Sequence, residues 1–258
     1  MTEKKTEKKY YRIASLEKGI KVLELLAQHG ELSVSEAAKL MDTNRAGSHR
    51  FISTLKDLGY VEQNANNKYQ PTLKIMRLAT KVANQFEIRR VAKPYMHRLS
   101  MMFKETINLG FFKNQEIIHI DKIDSLEVLR MDSALGDKAP AYCTGLGKAI
   151  LAFLPEHELE HYLEHTEFKQ LAPNTITDKD EFRSELERVR QNGYAIDDEE
   201  MTIGLSCIAV PIFDHNSYPA YAISVSGPSM RLNHRTLEDI KKTILMASSE
   251  LSRLMGTP

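Results

Sequence analysis

Apolar positions in the first forty residues recur every three or four places, which is the spacing of amphipathic helices. Leu16, Ile20 and Leu23 mark a first helix, and Gly30 is expected to end it because glycine accepts the left-handed backbone of a helix C-terminus. The stretch Ser33-Val-Ser-Glu36 is a capping box, which predicts that a short second helix begins there. The chain therefore starts with two helices joined by a tight connection.

A third helix is predicted to follow after residues 41–43. At about 100° per residue, Phe51, Ile52, Leu55 and Leu58 fall within an arc of roughly 120°, so these four side chains are expected to face a core. Such an arrangement leaves the other side of the helix to be either solvated or used to bind a polyanion. That side carries Arg45, His49, Arg50, Ser53 and Lys56.

Two short strands, 60–63 and 68–70, are predicted on either side of an asparagine-rich turn. Three helices followed by such a hairpin describe a winged helix-turn-helix, whose third helix enters the major groove of double-stranded DNA. Side chains early in that helix reach base edges or phosphates, and lysines of the hairpin and of the tail, residues 1–9, follow the phosphate backbone. The predicted DNA contacts are Arg45, Ser48, His49, Arg50 and Lys68.

The winged domain is assigned to residues 10–72, followed by a linker helix over 73–87 and a second domain over 88–258. An acidic loop that begins at Tyr194 leads into the strand predicted over 206–213. Strands grouped at both ends of a domain with helices between them indicate an α+β fold with an antiparallel-type sheet. The strand candidates are 106–112, 116–123, 126–133, 206–213 and 219–226, and the later helices are predicted near 147–153, 156–164, 179–191 and 234–255.

Composition describes an ordinary globular protein, with 258 residues of which 42% are hydrophobic and 27% charged. The formal net charge is zero, but residues 1–75 hold 13 Lys plus Arg against 9 Asp plus Glu, and the remainder holds 22 against 26. A basic first part fits a polyanionic partner. No apolar run approaches the roughly 20 residues of a membrane span, so we expect a cytoplasmic protein without a membrane partner. The two cysteines are too few for a disulfide framework.

Three stretches of the second domain are candidates for a small-molecule pocket: residues 139–147, residues 194–211, in which an acidic loop leads into an apolar strand, and residues 222–228. Residues 139–147 turn into a helix, so the backbone amides of Gly145 and Leu146 are expected to point at an anion. Ser224 and Ser226 are two residues apart in a strand and share one face of it. These hydroxyl groups either bind an oxygen-rich ligand or belong to a solvated strand edge.

An enzymatic alternative rests on His157-Glu-Leu-Glu-His161, which matches the H-E-x-x-H pattern of zinc peptidases. In such a zinc-dependent hydrolase, His157 and His161 would bind the metal and Glu158 would act as general base. The surrounding glutamates instead favour a solvated helix with Leu159 and Tyr162 facing inward. A third alternative is a sensor domain that acts through protein partners alone.

The stretches SLEKGIKVLELLAQHGELSVSEAAKLM, HRFISTLKDLGYVEQ and KYQPTLKIMRLA together resemble the winged helix-turn-helix of the IclR family of bacterial transcriptional regulators. The resemblance extends over nearly the whole chain. It implies a regulator, not an enzyme, that binds operator DNA as a homodimer or homotetramer and requires no cofactor or metal. Repression of a catabolic operon, relieved by a small organic acid, is the expected mode of action.

The resemblance also implies where that acid binds in the second domain. It puts Gly145 and Leu146 at the loop, Asp197, Cys207, Ser224 and Ser226 around the ligand, and Val128, Ala139 and Leu205 in an apolar wall. KETINLGFF, HIDKIDSLEVLRMDSALG and GLSCIAVPIFD are similar to the branch of the family that responds to 2-keto-3-deoxygluconate. A sugar acid is therefore the expected effector.

Overall fold

A computed structural model describes residues 13–83, 87–131, 133–232 and 234–257. The predicted basic tail, residues 1–9, lies outside the described residues. The chain forms two compact units, the first ending at residue 85 and the second beginning at residue 86. Each unit has its own buried core.

The first unit has the predicted winged helix-turn-helix architecture. β1 and β2 pair in antiparallel fashion, with Val61 opposite Pro71 and Gln63 opposite Tyr69, and they form the wing. Its elements are α1 (Ala14–His29), α2 (Val34–Leu40), α3 (Arg45–Asp57), β1 (Val61–Gln63), β2 (Tyr69–Pro71) and α4 (Leu73–Ala83).

Local side-chain chemistry fixes the ends of the first helices. Gly30 ends α1 with a φ of +77°, a value that favours glycine. The predicted capping box is present, because the Ser33 amide donates to Glu36 Oε2 at 2.7 Å and the Glu36 amide donates to Ser33 Oγ at 3.2 Å. Asn44 caps α3 by accepting the amide of Gly47 at 2.7 Å. The connections between α1 and α2 and between α2 and α3 are therefore both fixed by residues that are close together in the sequence.

The buried face of α3 differs from the predicted one. Ser48, Ile52 and Leu55 are the buried positions, and at about 100° per residue they span an arc of roughly 60°. Phe51 is partly buried, whereas Leu58 lies about 60° beyond the edge of this arc and is 53% exposed. The prediction that Leu58 faces the core is therefore wrong, because the core is centred on the Ser48 side of the helix.

The second unit is an α+β domain built on an antiparallel sheet, as predicted. In the described part of the chain its strands lie in the order β5-β4-β3-β8-β7-β6. A short 3₁₀ helix, Ala141–Cys143, connects β5 to α6. The elements are α5 (Glu87–Phe103), β3 (Thr106–Lys113), β4 (Glu116–Ile123), β5 (Lys138–Pro140), α6 (Gly145–Leu151), α7 (Glu156–His165), α8 (Lys179–Asn192), β6 (Ala195–Asp198), β7 (Leu205–Ile212), β8 (Tyr221–Pro228) and α9 (His234–Leu254).

The two faces of this sheet bury different sets of side chains. Ile208, Val210 and Val225 belong to the core that also contains residues of α5 and α9. Cys207 and Ala209 alternate with them along β7 and belong to the core formed with α6, α7 and α8. Because side chains alternate across a strand, the α6 face receives the odd-numbered positions of β7. None of the helices within the described ranges combines the length and apolarity needed to cross a bilayer.

Three segments of the second unit differ from the predicted secondary structure. The described residues of the predicted strand 126–133, residues 126–131 and 133, lie instead in the loop between β4 and β5. Its alternating apolar residues have no sheet face to cover, and Leu126 and Val128 are 99% and 98% exposed. β5 and β6 were not predicted. Both are edge strands of three or four residues, too short to show alternation, and β6 lies in the predicted acidic loop.

Candidate functional site

A cavity of about 200 Å³ lies on the α6 side of the sheet in the second unit. This volume is below the roughly 300–1,000 Å³ typical of sites for drug-sized ligands, so the cavity suits a small metabolite. Eight of the nine residues that the resemblance assigned to a ligand line it: Ala139, Gly145, Leu146, Asp197, Leu205, Cys207, Ser224 and Ser226.

The ninth residue, Val128, is not part of the cavity. Its side chain is almost fully exposed in the loop between β4 and β5, so Val128 does not form an apolar wall. Met131, from the same loop, and Met201 line the cavity instead. The expectation for Val128 came from the family resemblance, and the conformation of the loop between β4 and β5 leaves this side chain outside the cavity.

Hydroxyl and amide groups form a connected buried network along one side of the cavity. Ser224 Oγ lies 3.2 Å from Ser226 Oγ, and Asn108 Nδ2 donates to Ser226 Oγ at 3.2 Å. Ser133 Oγ donates to Asn108 Oδ1 at 3.3 Å. All four residues are buried. Because Ser224 and Ser226 belong to this network, the alternative of a solvated strand edge is excluded.

The start of α6 is held against the sheet by two glycines. Thr144 caps the helix by accepting the amide of Gly147 at 3.1 Å. A Cβ at Gly145 would lie 2.9 Å from Cys207 Sγ, and a Cβ at Gly147 would lie 2.0 Å from the carbonyl oxygen of Ala141. Both positions therefore need glycine for close backbone approach. This packing brings the first residues of α6 to the cavity.

Asp197 is the buried acidic group of the cavity. Its Oδ1 accepts the backbone amide of Glu200 at 2.9 Å. Burial and, to a smaller extent, the nearby Glu200 carboxylate raise the pKa of Asp197 to about 7, although this hydrogen bond and the positive charge of Lys148 oppose the rise. At neutral pH the side chain therefore exists in both protonation states and can donate a hydrogen bond to an anion when protonated.

A buried ion pair lies behind Asp197. The Lys148 ammonium group contacts Glu200 and lies 3.4 Å from Glu185 Oε1. Burial raises the pKa of Glu200, and Lys148 opposes that rise. Removing the Lys148 charge would leave a buried carboxylate without compensation, so this pair is a structural support for the cavity wall.

The two cysteines have no nucleophilic chemistry in this environment. Burial and, to a smaller extent, the Asp197 carboxylate raise the pKa of both Cys143 and Cys207 to about 12. A thiol with such a pKa is almost fully protonated at neutral pH, whereas reactive cysteines are thiolates. Cys207 therefore contributes shape and a weak hydrogen-bonding group to the cavity.

Sequence reasoning did not single out Asn108 or His119, although both line the cavity. Asn108 lies between Ile107 and Leu109, which face the other core. A polar residue at an alternate position of an otherwise apolar buried strand was therefore the signal for Asn108. His119 occupies the same kind of position in β4, between Ile118 and Ile120.

On the first unit, α3 presents basic side chains to solvent. Arg45, His49, Arg50 and Lys56 are all exposed. At about 100° per residue, Arg45, His49 and Lys56 fall within roughly 40° of one another, and Arg50 lies about 160° from the buried Ile52. The exposed surface therefore carries a basic stripe of Arg45, His49 and Lys56, and Arg50 lies roughly 100° or more around the helix from this stripe.

Ser48 and Lys68 differ from the other predicted DNA contacts. Ser48 is fully buried, and its Oγ has no hydrogen-bond partner among the described residues, so it is removed from the predicted contact surface. Lys68 in the wing is half-buried, and its ammonium group lies 3.5 Å from Glu31 Oε1 and 3.8 Å from Glu36 Oε1. Two carboxylates therefore already balance the charge of Lys68.

The helix with the H-E-x-x-H pattern lies on the surface as α7. The His157 side chain is 82% exposed, and Glu158 Oε2 accepts the Tyr218 hydroxyl at 2.7 Å. His161 stacks on His165, with ring centroids 4.2 Å apart. Within the described residues no group of three potential ligands is arranged to hold a metal.

A basic helix in one unit and a small polar cavity in the other define the class of protein: a DNA-binding regulator with a ligand-binding domain. Comparisons with known proteins agree. Residues 15–65 match the family described as "IclR helix-turn-helix domain", and residues 80–253 match "Bacterial transcriptional regulator IclR C-terminal". The chain belongs to the IclR family of bacterial transcriptional regulators.

Individual relatives cover nearly the whole chain. The HTH-type transcriptional regulator KdgR of Escherichia coli K12 is 34% identical over 95% of this chain and 93% of the relative. The HTH-type transcriptional repressor AllR of the same strain is 30% identical over 94% of this chain and 90% of the relative. The crystal structure of Thermotoga maritima IclR, 34% identical, superposes with a TM-score of 0.88 over 95% of this chain and all of that one. KdgR and AllR are named as a transcriptional regulator and a transcriptional repressor, and no finding supports a hydrolase.

Proposed function

We propose that this regulator represses a catabolic operon by binding operator DNA through α3, and that a small sugar acid in the cavity controls this binding. The observation that supports the proposal best is the cavity itself: the buried network through Ser224 and Ser226 lies beside Asp197 and Cys207. Similarity to relatives named KdgR and to a named repressor supports the sugar-acid class and the negative sign of regulation.

In the proposed DNA complex, Arg45, His49, Arg50 and Lys56 face the duplex. An arginine can bind guanine with two hydrogen bonds or hold a phosphate, and the other basic groups lie along the backbone. Lys68 contributes less than expected from the sequence, because Glu31 and Glu36 already compensate its charge. The affinity should fall steeply with salt, since phosphate contacts release counterions.

In the proposed effector complex, the carboxylate binds near the start of α6, where the amides of Gly145 and Leu146 and the hydroxyls of Ser224 and Ser226 supply donors. Ala139, Leu146 and Leu205 enclose the apolar part of the ligand. Protonated Asp197 supplies a further donor. A neutral ligand would gain less from this arrangement than an acid.

We further propose that the active form is a homodimer or homotetramer in the bacterial cytoplasm. Paired winged domains match the two halves of a symmetric operator, and most homo-oligomers have closed symmetry. The effector can shift DNA affinity only by as much as its affinities for the DNA-competent and DNA-incompetent states differ.

Arg50→Ala tests the DNA-binding part of the proposal. Loss of an arginine contact to base or phosphate should weaken binding to the promoter fragment upstream of the regulator's own gene by roughly tenfold. The affinity is measured by gel shift at fixed salt.

Two control variants accompany this measurement. Arg90→Ala removes an exposed arginine of the second unit, whose guanidinium group pairs with Glu87, and this variant should leave DNA affinity unchanged. Ser48→Ala should also leave it unchanged, because Ser48 is buried. Equal binding by wild type and Arg50→Ala would contradict a DNA-facing role for this surface of α3.

A further inference from the structure

The cavity extends beyond the strands that carry the proposed carboxylate site. Asp197, Cys207 and the serines are on β6, β7 and β8, whereas Asn108 is on β3 and His119 on β4. These strands are neighbours in the sheet, so β8 and β4 are two strand spacings apart, about 10 Å. The polar groups that line the cavity therefore form two sets. The first set consists of Asp197, Cys207, Ser224 and Ser226, and the second set, on the strands farther from β6, begins with Asn108 and His119.

His119 is the group of the second set whose hydrogen-bonding capacity is not satisfied. Its side chain is 6% exposed and lines the cavity, and its Nδ1 is fully enclosed without a hydrogen-bond partner among the described residues. Buried polar atoms in folded proteins almost always have a partner. A buried histidine with an unpaired ring nitrogen at a cavity wall is therefore a candidate hydrogen-bonding group for a bound ligand.

The chemistry of His119 suits a hydroxyl group. Burial lowers the pKa of this imidazole, and the nearby Lys122 charge lowers it further, whereas Asp137 opposes the shift. The neutral ring has one donor and one acceptor nitrogen, which matches a hydroxyl and gives no charge attraction to a second carboxylate. Opposite His119 in β3 is Gly110, where a Cβ would lie 3.0 Å from side-chain atoms of Ile117 and Leu146, so these apolar side chains pack over that position.

Asn108 and Ser133 extend this second set. Ser133 Oγ donates to Asn108 Oδ1, and Asn108 Nδ2 donates to Ser226 Oγ, so the two sets are joined by hydrogen bonds. A carbonyl oxygen accepts two hydrogen bonds, which leaves capacity on Asn108 Oδ1 for a ligand hydroxyl. The cavity therefore has a continuous polar side along the length of a bound molecule.

Ligand length decides which molecules use both sets. An extended chain advances about 1.2 Å per bond, so a two- or three-carbon acid held at Ser224 and Ser226 ends well short of His119. A six-carbon acid with terminal oxygens spans about 8 Å and brings its distal oxygens to His119.

We propose that His119, together with Asn108 and Ser133, forms a second polar subsite that binds the distal hydroxyl groups of a six-carbon 2-keto acid. This inference rests on the proposed effector function of the cavity. It makes His119 a specificity-determining residue, which distinguishes hydroxylated acids from acids of the same length without hydroxyl groups.

The test uses two six-carbon 2-keto acids, 2-keto-3-deoxygluconate and 2-oxohexanoate. Only the first has hydroxyl groups on the carbons beyond the keto group. Calorimetric titration should show that His119→Leu weakens binding of the hydroxylated acid by roughly tenfold, the effect of one lost hydrogen bond. Binding of 2-oxohexanoate should change by less than about twofold. His119→Gln, which keeps a donor and an acceptor, should recover part of the lost affinity.

Ser224→Ala is the matched comparison, because it should weaken both acids through the carboxylate site. Ser133→Ala removes a hydroxyl group from the second subsite without changing His119. It should also weaken binding of the hydroxylated acid alone, so it replaces the His119 variants if these fold poorly. Equal losses for both acids in the His119 and Ser133 variants, or no loss in either, would overturn the subsite. Wild-type protein that binds neither acid would contradict the proposed effector function as well.

Discussion

Asp197 is a carboxyl group inside a cavity proposed to bind carboxylates, so its protonation state controls the fit. Burial raises its pKa to about 7. The charged neighbours are Lys148 and Glu200 on the α6 side, and His119 on the sheet has a lowered pKa and stays neutral. The protonated form donates a hydrogen bond to the ligand, whereas the ionised form repels it.

The affinity for 2-keto-3-deoxygluconate should therefore decrease as pH rises from 6 to 8. With a pKa near 7 the protonated fraction falls by roughly tenfold over this range, and the apparent affinity should fall by about the same factor. Asp197→Asn keeps an acceptor for the Glu200 amide and cannot ionise, so its affinity should be constant. Titration calorimetry at both pH values measures the effect, and equal pH dependence in both proteins would contradict the assignment.

Sequence predicted individual site residues where chemistry and local spacing agreed. Ser224 and Ser226 were recognised because a spacing of two puts both on one strand face. Ser48 was assigned to DNA because it is polar, but helix geometry puts it in the middle of the buried arc. His119 was not predicted, because its proposed role in a subsite depends on Asn108 and Ser133. Sheet pairing and the loop between β4 and β5 bring these residues together.

At the scale of elements, the start of α6 is the segment most sensitive to small changes. Gly147→Ala would put a Cβ 2.0 Å from the Ala141 carbonyl oxygen, which forces α6 away from the 3₁₀ helix. We expect the free energy of unfolding of the second unit to fall by roughly 2–4 kcal/mol. Urea denaturation followed by circular dichroism measures the change.

Gly19→Ala is the control for this substitution. Gly19 lies within α1, and a Cβ there has no heavy atom within 4 Å. Alanine in a helix interior is favoured over glycine by up to about 1 kcal/mol, so this variant should be as stable as wild type or more stable. A Gly147→Ala protein with wild-type stability would show that α6 can shift freely and is not fixed against the 3₁₀ helix.

Helices with explicit end signals were predicted well, and weakly patterned strands were not. The capping box at Ser33 and Glu36 gave the start of α2 directly. Alternation in 126–133 indicated a strand, but no neighbouring strand covers it and Val128 is exposed. β6 escaped prediction because four residues within an acidic loop carry too little periodicity, and its position is set by pairing with β7.

On the scale of the whole molecule, the charge division follows the two units. The basic residues of the first part include the exposed side chains of α3, whereas the second unit contains the cavity. DNA binding and ligand binding thus lie in different units, and a regulator must couple them through a difference in ligand affinity between two states. The succession of predicted helices and strands already indicated two domains, whereas the coupling between them is a property of the assembled protein that no single segment of sequence encodes.

The most direct test of the central claim is the affinity for the regulator's own promoter fragment, measured with and without saturating 2-keto-3-deoxygluconate. We predict that the acid weakens DNA binding of the wild-type protein by at least about fivefold. Ser224→Ala should bind DNA normally without the acid and lose most of this response. Tight binding of the acid in the cavity with unchanged DNA affinity would contradict the proposed control of DNA binding by the effector.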